Sequence, residues 1–127
     1  MSFTNFLETE ILDHVFAGAA YTAPATKYLA LFTAIADGEA GSVTELSGDA
    51  YARQTVAFTT TGDTTSNSGA VEFPTATGSW GTVTHVGVYD ASSSGNLMCY
   101  ATLSSSKAID TGDVFRVPAG DLDITLN

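Results

Sequence analysis

Residues 82–103 read TVTHVGVYDASSSGNLMCYATL. Two runs rich in Val, Thr, Tyr and Leu flank a short segment of small polar residues, 90–96. β-Branched and aromatic side chains suit a pleated, half-buried surface, while Ser, Gly, Asn and Asp suit a reversing backbone. The stretch therefore predicts a hairpin, with strands over 82–89 and 97–103. An isolated hairpin is marginal in water, so its partners must lie elsewhere in the chain.

Further strands are legible on both sides. Residues 27–33 (KYLALFT) read as a buried strand, and 52–60 (ARQTVAFTT) as a second one. Residues 70–73 form a short strand closed by Pro74, and 113–117 with 121–126 form a last pair around Pro118, Ala119 and Gly120. Leu122, Ile124 and Leu126 alternate with Asp121, Asp123 and Thr125, the mark of a sheet with one wet face. Residues 37–41 (DGEAG) and 61–69 (TGDTTSNSG) read as loops, the latter polar and without an apolar anchor, and Ser104–Ser106 as a hairpin loop. Near the start the period changes. Phe3, Phe6, Leu7, Ile11, Val15 and Phe16 recur at spacings of three and four, which predicts a helix over 3–17. Asn5 followed by Glu8 resembles a capping box, Thr4 is the alternative cap, and Gly18 suits the position after the helix. Its apolar set is wider than one stripe, so the helix is expected to touch both its own sheet and a neighbouring subunit. The expected architecture is mainly β: an antiparallel β-sandwich of about seven strands with one N-terminal α-helix. It is expected as a single domain over 1–127, with a helical arm over 1–18 and the sandwich over 27–127.

Composition narrows the function. The chain has 127 residues, 44% of them hydrophobic, enough to bury a core without disulfide or metal. Its formal charge of −10 repels phosphate and anionic headgroups, so neither nucleic acid nor membrane is an expected partner. The four cations, Lys27, Arg53, Lys107 and Arg116, are scattered in sequence and form no basic run. Cys99 is the one cysteine, so no intramolecular disulfide is possible. The opening residues carry no secretory pattern, and no apolar run reaches membrane-spanning length. Synthesis and folding in a cytosol are expected.

Reactive constellations are sparse. His14 and His85 lack metal-ligand spacing. His85 and Cys99 lie on strands expected to pair, but a reactive thiol needs an electropositive setting that this region does not offer. No G-x-S-x-G elbow, G-x-G-x-x-G or P-loop occurs. Asp110, Asp113, Asp121 and Asp123 crowd near the end and are candidate Ca²⁺ ligands, yet they also read as a turn and the solvent face of a strand. Trp80, between Gly78-Ser79 and Gly81, is a candidate exposed loop contact, such as a sugar-stacking platform, or else an anchor against the sheet. The expectation is no enzyme, with no catalytic, cofactor or metal residues.

Several segments in order, SFTNFLETEILDHVFAGAAYTAP with KYLALFTA, GDAYARQTVAF, SWGTVTHVGVYDASSSGNLMCYATL and DTGDVFRVPAGDLDITLN, resemble a family of small bacteriophage virion structural proteins of the tail-fibre-like or capsid-decoration kind. The resemblance implies a virion location, no enzymatic residues, and other phage structural proteins as partners. Within that class the first expectation is a capsid decoration, or cement, protein on the outer surface of the major capsid protein. The alternative is a tail or tail-fibre component acting as adaptor or receptor contact, and a carbohydrate-binding domain is the third. A homo-oligomer, most simply a trimer, is expected, docking through Phe3, Phe6, Leu7, Ile11, Val15 and Phe16.

Overall fold

The computed structural model describes residues 1–126; Asn127, the end of the domain expected over 1–127, lies outside the described residues. Strand β1 is Ser2–Phe3, followed by helix α1, Asn5–Phe16. Then come β2 (Lys27–Asp37), β3 (Ser42–Glu45), β4 (Gln54–Val56), β5 (Phe58–Thr61), β6 (Thr64–Asn67) and β7 (Val71–Glu72). The chain ends with β8 (Gly81–Tyr89), β9 (Leu97–Ile109), β10 (Arg116–Val117) and β11 (Asp123–Thr125). The protein is mainly β with a single described helix, and every strand pairing is antiparallel, as the sequence predicts.

The large sheet runs β1-β9-β8-β2-β3, with β4 also on β2. Two small sheets, β10-β7 and β11-β6-β5, supply the rest. The main core lies between them: Leu29, Leu31, Val86 and Val88 of the large sheet share one cluster with Val71, Phe73, Val117 and Leu122. Ala30 and Phe32 point to the other face of β2 and join Tyr89 and Leu97. Burial on both faces explains the unbroken apolar run LALF in place of alternation. Phe32 fits there because residue 87 is glycine: a Cβ on Gly87 would lie 2.6 Å from both the Phe32 ring and Leu97.

The predicted 82–103 hairpin is present as β8 and β9, with the serine segment as its turn. Asp90 closes that turn, its carboxylate accepting from the Asn96 backbone N–H at 2.7 Å and from the Asn96 side chain at 3.0 Å. Other expectations need correction. Ser104–Ser106 is not a hairpin loop; it lies within β9, on a bulge where residues 103–106 stand against Thr84 alone. The strand expected over 52–60 breaks at Ala57 into β4 and β5, which belong to different sheets. The polar stretch 61–69 is not a bare loop, because Gly62 and Asp63 turn β5 into β6. Its anchor is polar: buried Asn67 donates to the Gly69 and Pro118 carbonyls and accepts from the Leu122 N–H, each at 2.9 Å. The two C-terminal strands do not pair with each other. β10 pairs with β7 and β11 with β6, since Asn67 fixes the chain between them.

Candidate interaction surface

Helix α1 starts later than its periodicity suggests. Phe3 belongs to β1, where it stands opposite Cys99. The cap is Thr4 and not Asn5. The buried Thr4 hydroxyl donates to the Leu97 carbonyl at 2.6 Å and accepts from the Leu7 N–H at 3.4 Å. The Thr4 N–H donates to the Met98 carbonyl at 2.9 Å. A cap that is also stitched to β9 fixes the helix entry on the sheet, an advantage Asn5, which is exposed, does not offer. At the far end Gly18 takes φ +75°, and the Ala19 N–H returns to the Asp13 carbonyl at 3.0 Å.

The helix buries no residue fully. Phe3, Phe6 and Leu7 are half-buried and lean on the main core, with Phe6 edge-on to Tyr21 at 6.4 Å between ring centroids. Ile11 is half-buried. Leu12, Val15 and Phe16 turn outward, exposed by 57%, 59% and 81%. Their spacing of three and four places them on one face. The six residues expected to dock thus divide: the first four lean toward their own chain, and Val15 with Phe16 remains free. Leu12 was missed, although its spacing from Val15 and Phe16 is the signal that finds it. Glu8, one turn before Leu12, and Asp13, three residues before Phe16, flank the patch with negative charge.

Behind the serine turn lies a polar cluster. Arg53 meets Glu45 with two bonds, 2.9 Å from Nε and 2.8 Å from Nη2. Its Nη1 donates to the Ala91 and Ser94 carbonyls at 2.9 and 2.8 Å, and its guanidinium carbon lies 3.5 Å from the Tyr89 ring centroid. Tyr51 donates to Glu45 at 2.6 Å and accepts from the Leu31 N–H at 3.1 Å. Burial, then the Glu45 hydrogen bond, push the Tyr51 phenol far above its ordinary range. The cluster consumes its own donors and acceptors, so it holds the turn and β3 in place.

Trp80 is not an exposed contact. It is 6% exposed, its Nε1 donates to the Asp49 carbonyl at 2.9 Å, and its ring meets Tyr51 edge-on. Large ring area and one satisfied N–H favour the interior. Cys99 is buried opposite Val88, while His85 stands opposite Thr102 with its Nδ1 at 2.7 Å from the Thr84 hydroxyl. Burial pushes the Cys99 thiol up to about 12. Asp113 accepts from the Asp110 N–H at 2.9 Å and Asp123 accepts from Ser66, so these carboxylates serve turns and strand pairing. Among the described residues no three His, Cys, Asp or Glu side chains gather as a metal site. No described helix is long and apolar enough to cross a membrane.

A small antiparallel β protein that satisfies its polar interior and leaves an apolar helix face outward has the build of a structural, assembling component. Residues 2–125 match the family model described as Podophage GP4 fiber I protein gp80, and the chain belongs to that family. It is a small phage virion structural protein of tail-fibre-like kind, and it associates with other phage structural proteins. No curated protein matches the chain.

Proposed function

We propose that the protein is a component of a phage tail fibre, a closed homo-oligomer that works through assembly contacts and performs no chemistry. The observation that carries this reading is the outward face of α1, where Leu12, Val15 and Phe16 stand in solvent on a helix whose base is pinned to β9. Burying one such side chain contributes roughly 1.5–3 kcal/mol before ordering costs. The family description favours the fibre over the cement protein that sequence alone puts first. The non-enzymatic reading is supported by the thiol of Cys99, buried and out of register with His85. A carbohydrate platform built on Trp80 loses its support with that ring inside. A trimer is taken as the closed form, each chain repeating the same helix contact.

Copy number and position on purified particles test the proposal. Labelled antibody should decorate the tail, and quantitative mass analysis should give few copies per particle. Label over the whole shell, with hundreds of copies, would restore the cement reading.

A further inference from the structure

Lys107 on β9 and Arg116 on β10, strands that do not pair with each other, line one groove. It has a volume of about 400 Å³ and runs between the bulged edge of β9 and the segment around β10. Leu103 and Phe115 give it apolar walls. Past Tyr100 the outer edge of β9 has no strand beside it among the described residues. Lys107 and Arg116 make no ion pair among the described residues, whereas Arg53 is locked to Glu45. The groove also carries Asp121 and Asp123, the latter already accepting from Ser66. Its ionisable side chains therefore balance, two cations against two carboxylates, on a chain of net charge −10. Lys27 also lacks an ion pair among the described residues and donates to the Pro24 carbonyl; in the groove two such cations stand together.

The outward face of α1 has the opposite character: a protruding apolar ridge, Leu12 and Phe16, flanked by Glu8 and Asp13. Two such ridges placed face to face would oppose carboxylate to carboxylate, which argues against a two-fold contact of like with like. A ridge placed in the groove sets apolar against apolar and offers its acids two cations, beside the Asp121 and Asp123 carboxylates. We propose that the helix ridge of one copy seats in the β9 groove of the next copy, head to tail, with Glu8 and Asp13 facing Lys107 and Arg116. A contact of this kind joins two different patches, so it closes into a ring when the rotation allows. The inference rests on the reading of the helix face as the assembly surface and adds the occupant and the receiving site.

Two surface variants test it by mixing. Phe16→Asp disables the ridge, and Lys107→Glu with Arg116→Glu disables the groove. Wild-type protein should form a closed oligomer by light scattering, and each variant should be a monomer with an unchanged melting temperature. Mixed together, the variants should give a 1:1 dimer and nothing larger, because each contributes one intact half. Retention of the wild-type oligomer by either variant, or a mixture that stays monomeric, would overturn the proposal. A wild-type chain that is monomeric at its highest soluble concentration would also overturn it. If Phe16→Asp then still lowered occupancy on particles, the helix face would remain the assembly surface, with a different virion protein as its partner.

Discussion

Phe32 on β2 is wholly buried, while Phe16 at the end of α1 is 81% exposed, and the same side chain serves two different ends. Around Phe32 every neighbour is arranged for it: Gly87 leaves space for the ring, and Tyr89 meets it edge-on at 6.2 Å between centroids. Around Phe16 the chain arranges nothing. The helix is held at its start by Thr4 and by Phe6 and Leu7, and its last turn is exposed. Apolar surface stabilises the fold in the first region and stands in solvent in the second, where we propose that a partner covers it. A sequence pattern that signals burial does not say against which chain the burial occurs.

Substitutions can break this contrast or sharpen it. Phe32→Ala should destabilise the isolated domain by about 3–5 kcal/mol, the usual cost of emptying an aromatic site in a packed core. Urea denaturation reads this directly, and a loss below about 1 kcal/mol would mean the site collapses or was never tightly packed.

The next effect belongs to the polar cluster that supports the turn. Arg53→Met should cost about 2 kcal/mol, less than for a fully buried pair, because Glu45 keeps some access to water. Arg53→Lys should rescue little of it. A point charge cannot keep two bonds to Glu45, two to carbonyls, and the stacking on Tyr89. Equal stability of the Lys and wild-type proteins would refute the role given to the fork.

A smaller, pH-dependent effect concerns Cys99. Its thiol is raised from 9.0 to about 12 by burial, so the folded chain holds the proton that the unfolded chain releases. That contribution to stability is complete below about pH 9 and is lost as pH rises toward 12. Cys99→Ala should therefore flatten part of the alkaline fall in stability and leave assembly intact. Native protein should resist thiol reagents at pH 8 and react once unfolded; rapid labelling of the native state would show the strand pairing around Cys99 to be loose.

Smallest in the isolated domain is Phe16→Ser, expected to shift stability by no more than about 0.5 kcal/mol, as for a surface change. On particles the same substitution should lower occupancy sharply. A Phe16→Ser domain that melts well below wild type would place the ring in the fold and erase the contrast with Phe32.

The sequence carried much of the fold. The β-branched and aromatic content of 82–89 and 97–103, with turn residues between, specified a hairpin because both signals are local. The run LALF specified a buried strand for the same reason. The last pair of strands misled, since Pro118, Ala119 and Gly120 look like a hairpin turn and nothing nearby reveals that Asn67 binds the chain there from far away. The candidate interaction surface was half legible. Helical spacing marked its apolar residues, but periodicity alone cannot tell the side of α1 that meets β9 from the side that meets solvent.

By itself, then, the sequence determined the β character, the single helix near its start and the acidity of the surface, each a property of composition or of neighbours a few residues apart. Only the tertiary structure decided that Thr4 caps the helix, that Trp80 is interior, and that Lys107 and Arg116 share one groove. Those outcomes depend on contacts between residues distant along the chain. Such contacts are selected by packing and hydrogen-bond satisfaction across the whole core, and local sequence carries no record of them.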